Sequence, residues 1–352
     1  MRNLPQTLKS ILFPILTVIL ALGFTSLVLL TTDASPLEAY RTLLQGGAGS
    51  GRKMMDVLVA WVPLLIVTMG LLITFAAGLW NIGIEGQIIL GAVFATGVLK
   101  FFQGTEVAPG LVLPLSILAG AVGGALWATL AGLLKTYGGV NEIFGGLGLD
   151  FVATAIVLWL IFGPWKRPGI GSMSGTEPFN KALWLPMFPD SRLSPWSLSI
   201  GVVVTGLVFF LLRGTYFGLK LKAVGRNQEA AGRMGIRTGL YMMSAFVLCG
   251  ALAGIAGSLQ VTAVYHRLIP SISSNYGWLG LMVAMLVNYQ TLWAAAAALF
   301  FAFLNIASVR LPIVLKVDSS LSGVIQGSLV LFALMANGVR NRWLQGNQEE
   351  RS

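Results

Sequence analysis

Apolar stretches of 18 or more residues recur along the whole length of this chain, and no other feature constrains its fold as strongly. A helix that crosses a membrane needs about 20 consecutive, mostly apolar residues, a length that few helices of soluble domains reach. Hydrophobic residues form 56% of the chain and charged residues only 10%. The sequence therefore predicts an all-α polytopic membrane protein and excludes a series of soluble domains.

We predict about ten transmembrane helices in a single domain that covers residues 1–352. Their approximate positions are 11–30, 56–79, 85–102, 111–134, 143–162, 198–212, 240–265, 276–287, 292–309 and 320–337. The stretch 11–30 is too long for the core of a signal peptide, so we interpret it as a retained span. Because short basic segments stay in the cytoplasm, we expect both termini there, on the strength of Arg2, Lys9, Arg340 and Arg342.

Three connections between the spans stand out. Residues 32–55, polar and glycine-rich, and residues 163–196, rich in Pro, Gly, Ser and Trp, are predicted to be external loops. Segment 213–239 is predicted to be cytoplasmic because it sets Arg213, Lys220, Lys222, Arg226, Arg233 and Arg237 against one acid, Glu229. Its middle, residues 228–235, is predicted to be a short helix that Gly235 ends. Such a helix suits docking to another protein, although a solvated loop that only fixes the orientation explains the same charges.

The sequence contains no pattern typical of a catalytic or metal site. His266 is the only histidine and Cys249 the only cysteine, which excludes a histidine-based metal site and a disulfide framework. A phosphate-binding loop of the form GxxxxGK[ST] is absent, and no nucleophile stands near a base. The net charge of +10 follows from membrane orientation more simply than from contacts with nucleic acid. We therefore predict a non-catalytic chain that binds no metal, no cofactor and no nucleic acid.

Two groups of polar residues lie where a membrane disfavours them. The run GLWNIGIEGQ, residues 78–87, places Asn81, Glu85 and Gln87 between two spans. A carboxylate in the bilayer costs about 2.5–3.5 kcal/mol, so it normally faces a cavity, a partner or water. Glycines allow the helix to break there and line a pathway, but the run also fits a simple inner turn with Glu85 at a helix N-terminus. The second group, at the inner end of the fifth span, is Asn141, Glu142 and Asp150.

Four motifs resemble the membrane permeases of ABC importers for branched-chain amino acids, ribose-type sugars and nucleosides. They occur in the same order and spacing over about residues 55–340, as GLWNIGIEGQ, GGVNE, LKAVGRNQEAAGRMGI and CGALAGIAGSLQ. The form NIGIEGQ is most similar to the nucleoside group, which works with lipoprotein binding proteins. Two segments depart from the family pattern: IFGGLGLD, in which Asp150 replaces an expected Asn, and MVAMLVNYQT. Both departures touch the expected translocation pathway and weaken the substrate assignment more than the fold.

This resemblance implies a permease subunit of the bacterial plasma membrane that imports nucleosides by alternating access. It implies that a cytoplasmic ABC ATPase binds ATP and Mg²⁺, and that a second, related permease and an external binding lipoprotein complete the importer. The coupling element would dock in the ATPase and consist of Gly225, Arg226, Asn227, Glu229, Ala230, Ala231 and Gly235. The pathway or gate would use Asn81, Glu85, Gln87, Asn141, Glu142 and Asp150.

Three alternatives stay open at this point. The first is a ribose-type sugar permease of the same family. The second is an ion-coupled secondary transporter, in which Glu85, Glu142 or Asp150 would bind a proton or sodium ion. The third is a membrane scaffold or receptor that transports nothing.

Overall fold

The computed structural model describes residues 19–20, 22–31, 35–169, 174–287, 290–316, 318, 323–328, 330–332 and 335. The regular structure in these residues is helical throughout, and they contain no β-strand. The chain divides into two compact units, residues 1–57 with 300–352, and residues 58–299. The all-α prediction is confirmed for the described part of the chain.

The helices, in chain order, are α1 Pro36–Ala48, α2 Gly51–Ala76, α3 Ile84–Phe102, α4 Pro109–Thr136, α5 Glu142–Phe162, α6 Pro195–Gly214, α7 Tyr216–Arg226, α8 Gln228–Arg233, α9 Thr238–Leu259, α10 Tyr276–Leu286, α11 Thr291–Ser308 and α12 Leu311–Leu315. A π-helical turn, Gln260–Tyr265, extends α9, and a 3₁₀ turn forms at Lys181–Leu183. Residues 22–30 and 323–328 are also helical.

Among the described residues, seven stretches are long and apolar enough to cross a membrane. They are Gly51–Ala76, Ile84–Phe102, Pro109–Thr136, Glu142–Phe162, Pro195–Gly214, Thr238–Tyr265 and Thr291–Leu315. Each overlaps one predicted span. The predicted span 276–287 is only an 11-residue helix, α10, which at about 1.5 Å per residue is too short to cross alone. Large parts of the predicted spans 11–30 and 320–337 lie outside the described residues.

Residues 32–55 contain a helix where we expected a loop. In α1 the buried positions are Ala39, Thr42, Leu43, Gly46 and Gly47, which follow helical periodicity. Leu43 and Ala39 pack with Ala307 and Leu311 in one apolar cluster. A Cβ on Gly46 would lie 2.7 Å from the Ala307 carbonyl oxygen, so this glycine serves close helix packing. The prediction of a loop at residues 32–55 was therefore wrong. The glycines are needed here for close packing of a helix and not for a flexible chain.

The centre of unit 58–299 is built by α3, α4 and α9, which approach one another through glycines. A Cβ on Gly254 of α9 would lie 2.0 Å from the Gly120 carbonyl oxygen of α4. Similarly, a Cβ on Gly124 would lie 2.1 Å from the Gly250 carbonyl oxygen, and one on Gly91 of α3 would lie 2.3 Å from the Gly254 Cα. Small residues at four-residue spacing allow such contacts between membrane helices.

The described part of the predicted external loop 163–196 is irregular and bonds to the end of α9. The backbone N–H groups of Phe179 and Leu185 donate to the carbonyl oxygens of His266 and Thr262. Thr262 lies in the π-helical turn that extends α9, and His266 directly follows it. The Trp184 ring stacks on His266 with the ring centroids 3.8 Å apart. Burial lowers the pKa of the His266 imidazole from its ordinary value of 6.5, and the positive charge of Arg192 lowers it further.

Candidate functional site

The run GLWNIGIEGQ forms the turn between α2 and α3. Helix α2 ends at Ala76, and Gly78 adopts φ +72°, a left-handed conformation that glycine tolerates. Beyond it, Asn81 and Gln87 exchange two amide hydrogen bonds, each 2.9 Å long. Asn81 also donates to the Cys249 sulfur at 3.0 Å. The turn is thus held by a satisfied, buried amide pair, and the cysteine has a polar contact that the sequence did not predict.

Glu85 lies in the first turn of α3, and its carboxylate caps a different helix. Helix α10 begins after Asn275, whose side chain makes no capping hydrogen bond. Instead, Glu85 Oε1 accepts the backbone N–H groups of Gly277 at 2.8 Å and Trp278 at 3.1 Å. These are the second and third N–H groups of α10, which normally bond to an N-cap side chain. The positive end of the helix dipole also favours a carboxylate there.

Asp150 caps α3 in the same way. The N-cap residue of α3 is Gly83, which has no side chain to offer. The Asp150 Oδ1 atom, which belongs to α5, accepts the Gly86 backbone N–H at 2.7 Å. Asp150 and Glu85 are only 7% and 6% exposed. Carboxylates therefore connect α5 to α3 and α3 to α10 through two helix N-termini.

The two polar groups that we predicted from the sequence are divided differently in the structure. Asp150 joins Glu85, Asn81 and Gln87 near the start of α3, whereas Asn141 and Glu142 do not. Asn141 is exposed and caps its own helix by accepting the Ile143 N–H at 2.8 Å. Glu142 pairs with Lys135 at 2.5 Å and interacts with the backbone of Trp80.

One residue next to this cluster was missed from the sequence. The indole Nε1 of Trp127, on α4, is buried and has no hydrogen-bond partner among the described residues. It lies 2.8 Å from the position that a Cβ on Gly86 would occupy, and Asp150 Oδ1 lies 2.9 Å from the same position. Trp127 stands within a continuous apolar helix, so no local sequence signal distinguishes it from the other tryptophans of the spans.

The short basic helix that we predicted at residues 228–235 is present as α8, Gln228–Arg233. The Asn227 side chain caps it by accepting the Ala230 N–H at 2.9 Å. Gly235 adopts φ +80° just after its end, and the Ile236 N–H bonds back to the Ala231 carbonyl oxygen. Ala231 is buried, and the other predicted coupling residues are exposed except for the half-buried Gly225.

Gly225 connects this basic segment to the turn of the polar cluster. A Cβ on Gly225 would lie 2.3 Å from the Ala76 carbonyl oxygen and 2.8 Å from the Gly78 nitrogen. In return, a Cβ on Gly78 would lie 2.8 Å from the Gly225 carbonyl oxygen. The backbones of α7 and of the turn after α2 are therefore in direct contact. At this contact no side chain separates α7 from the turn that carries Asn81.

Residues 53–334 match the family described as "Branched-chain amino acid transport system / permease component". The chain belongs to this permease family. The permease is 30% identical over 331 residues to the glucose ABC transporter permease protein TsgB13 of Haloferax volcanii, with 91% of this chain and 86% of the relative covered. It is 24% identical to the guanosine ABC transporter permease protein NupP of Bacillus subtilis, with 95% and 96% covered.

A third relative is the nucleoside ABC transporter permease protein NupB of Lactococcus lactis, which is 23% identical with 84% of this chain and 83% of the relative covered. The family and the relatives make the permease a membrane-spanning transport component of an ABC system and not an enzyme. They confirm the family that the four motifs indicated. The relatives differ in the solute that their names give, glucose in one and nucleosides in two.

Proposed function

We propose that this permease imports nucleosides, and that a separate cytoplasmic ATPase binds ATP with Mg²⁺ and drives the transport. The chain itself would hold neither. Two of the three relatives described above are named for guanosine or nucleosides, which supports the solute class. The proposed complex also contains a second, related permease and an external binding lipoprotein that delivers the solute.

The observation that carries this proposal is the backbone contact between Gly225 and the Ala76–Gly78 turn. One side of this contact leads to the exposed helix α8, and the other leads to the buried polar cluster. In an importer, the ATPase would bind α8 through Arg226, Glu229 and their neighbours. Its movement would then shift the turn and change the access to the cluster.

The proposed pathway or gate uses Asn81, Glu85, Gln87 and Asp150, which share one region near the start of α3. Asn141 and Glu142 belong to the proposal as residues at the cytoplasmic start of α5. Broken helices whose N-termini and polar side chains meet inside a bundle are typical of solute sites in transporters. The capping bonds of Glu85 and Asp150 would break or re-form as the helices move.

The proposed topology has about ten membrane segments with both termini in the cytoplasm. Seven described stretches have the necessary length and composition, and α10 would be a half-crossing that completes a broken helix. Attaching a membrane-impermeant thiol reagent to cysteines placed at positions 3 and 350, in a chain with Cys249→Ala, tests this arrangement. Labelling from outside intact cells would contradict it.

A glucose or ribose-type sugar is the second candidate solute. It is favoured by one observation, the 30% identity to the glucose permease TsgB13, which exceeds the identity to the two nucleoside permeases. Nucleosides and sugars both carry ring hydroxyl groups, so one pathway is chemically compatible with either class.

The decisive experiment is uptake by proteoliposomes that contain the permease with the ATPase and the second permease that co-purify with it, and with the binding protein added outside. Guanosine and glucose are offered in parallel, with ATP or a non-hydrolysable analogue inside. ATP-dependent accumulation of guanosine supports the proposal. Accumulation of glucose and not of guanosine would show that the solute is a sugar and not a nucleoside. Uptake by the permease alone on a proton or sodium gradient would contradict ATP coupling.

A further inference from the structure

Two buried polar atoms beside Gly86 have unused hydrogen-bonding capacity. The Trp127 Nε1–H donor has no acceptor, and the second carboxylate oxygen of Asp150, Oδ2, has no donor, among the described residues. Both side chains border the same Gly86 backbone, where a Cβ would meet Trp127 Nε1 at 2.8 Å and Asp150 Oδ1 at 2.9 Å. The absence of a side chain at Gly86 thus leaves these groups close together.

A buried donor and a buried acceptor without partners each cost about 1–3 kcal/mol, so such groups are kept where a partner binds. The pair is complementary to a group that accepts one hydrogen bond and donates another. A hydroxyl does both. An anion is disfavoured by the carboxylates of Asp150 and Glu85, which both lie near the start of α3.

We propose that Trp127 and Asp150 bind a hydroxyl group of the transported solute, with the indole N–H as donor and Asp150 Oδ2 as acceptor. This inference rests on the proposed import of nucleosides or sugars. It names the part of the solute that both classes share, a ring carrying hydroxyl groups. Gly86 provides the space, because any larger residue would place its Cβ within 3 Å of both side chains.

Both atoms are shielded from solvent in this conformation. A solute would reach them when α5 moves away from the start of α3 and α4, which breaks the bond between Asp150 and Gly86. The hydroxyl would then replace part of the contact that is lost. Alternating access requires a solute site that is closed in at least one state, and the buried pair satisfies this requirement.

The test measures equilibrium binding of guanosine and of its 2′-, 3′- and 5′-deoxy analogues to the complete transporter in lipid nanodiscs. Trp127→Phe keeps an aromatic ring and removes only the N–H donor and part of the ring. The matched control is Trp159→Phe, a tryptophan on α5 whose side chain is 66% exposed. Asp150→Asn is the second variant, because its amide oxygen can still accept the Gly86 N–H. The same four proteins are tested with glucose and 2-deoxyglucose.

We expect Trp127→Phe and Asp150→Asn to weaken binding of the full solute about threefold to tenfold, as the loss of one hydrogen bond does. The loss should disappear for the one deoxy analogue that lacks the bound hydroxyl, and Trp159→Phe should bind all solutes normally. The inference would be overturned if each variant affected every analogue equally or had no effect on binding. An equal effect together with reduced thermal stability would indicate that a structural water, and not the solute, bonds to the two groups. If the wild type neither binds nor takes up any of these solutes, the proposed function fails first.

Discussion

Asp150 of α5 accepts the backbone N–H of Gly86 at 2.7 Å and so caps a helix to which it does not belong. The capped helix, α3, in turn caps a third helix: its Glu85 accepts the Gly277 N–H at the start of α10. In both cases the N-cap residue itself makes no side-chain capping bond. Two carboxylates therefore join three helices, α5 to α3 and α3 to α10, each at the N-terminus of the helix that it caps.

Removing the Asp150 carboxylate tests this capping role. Asp150→Ala should lower the free energy of unfolding by about 0.5–2 kcal/mol, because the α3 N-terminus loses its acceptor. Asp150→Asn should lower it less, since the amide oxygen can take the same bond. Thermal unfolding of the purified permease in detergent measures both. Equal losses in the two variants would show that the capping bond is not the stabilising contact.

The contact between Gly225 and Ala76 predicts an uncoupled variant. Gly225→Ala would place a Cβ 2.3 Å from the Ala76 carbonyl oxygen and force α7 away from the turn. We expect ATP-driven uptake to fall at least about tenfold, a change of about 1.4 kcal/mol in coupling, while the ATPase still co-purifies. Gly206→Ala is the control, because a Cβ at that position meets nothing within 4 Å and the residue lies on α6, outside the basic segment. Normal uptake by Gly225→Ala would refute mechanical transmission through this contact.

The amide pair of Asn81 and Gln87 predicts a non-additive double variant. Gln87→Leu leaves Asn81 with unpaired amide atoms in a buried site and should cost about 1–3 kcal/mol of stability. Replacing both residues by Leu should cost less than the sum of the single changes, because no amide group is then left unpaired. A double-mutant cycle by thermal unfolding provides the measurement. Strict additivity would mean that the two amides do not depend on each other.

The exposed coupling helix predicts loss of a partner without loss of fold. Glu229 bonds to Arg233 at 2.6 Å, and both side chains are more than three-quarters exposed, so the pair contributes little to stability. The combined change Arg226→Ala and Glu229→Ala should therefore leave thermal unfolding unchanged and abolish co-purification of the ATPase. Arg213→Ala, at the end of α6, serves as the control for the loss of an arginine outside α7 and α8. An unaffected ATPase yield in the double variant would place the docking surface elsewhere.

His266 predicts a pH dependence of stability. Burial lowers its pKa in the folded protein, so the folded state binds protons less readily than the unfolded state. The stability that the neutral His266 side chain contributes is present above its ordinary pKa of 6.5. This stability is lost as the pH falls through the lowered pKa of the folded state. Between pH about 8 and pH about 5, the wild type should lose more thermal stability than His266→Asn. Asn cannot titrate there, and it tolerates the φ of +55° at this position. Parallel pH profiles would contradict the assignment.

The sequence by itself determined the fold class, the seven described helices that are long and apolar enough to cross a membrane, and the short basic helix. These features depend on local properties: the length of an apolar stretch, a cap such as Asn227, and a glycine such as Gly235 that can end a helix. The motifs also indicated the permease family, because their order and spacing are visible without a structure. The four-residue spacing of Gly120 and Gly124, and of Gly250 and Gly254, is also visible in the sequence.

Only the tertiary structure decided which polar residues meet. Asp150 lies 65 residues after Glu85 in the sequence, yet the two cap successive helices, while Asn141 and Glu142, closer in sequence to Asp150, take other partners. The placement of Trp127 beside Gly86 was not visible in the sequence either, and α1 was missed because its glycines serve close packing. A hydrogen bond between helices depends on how their backbones pack, and that packing results from contacts between residues far apart in the chain.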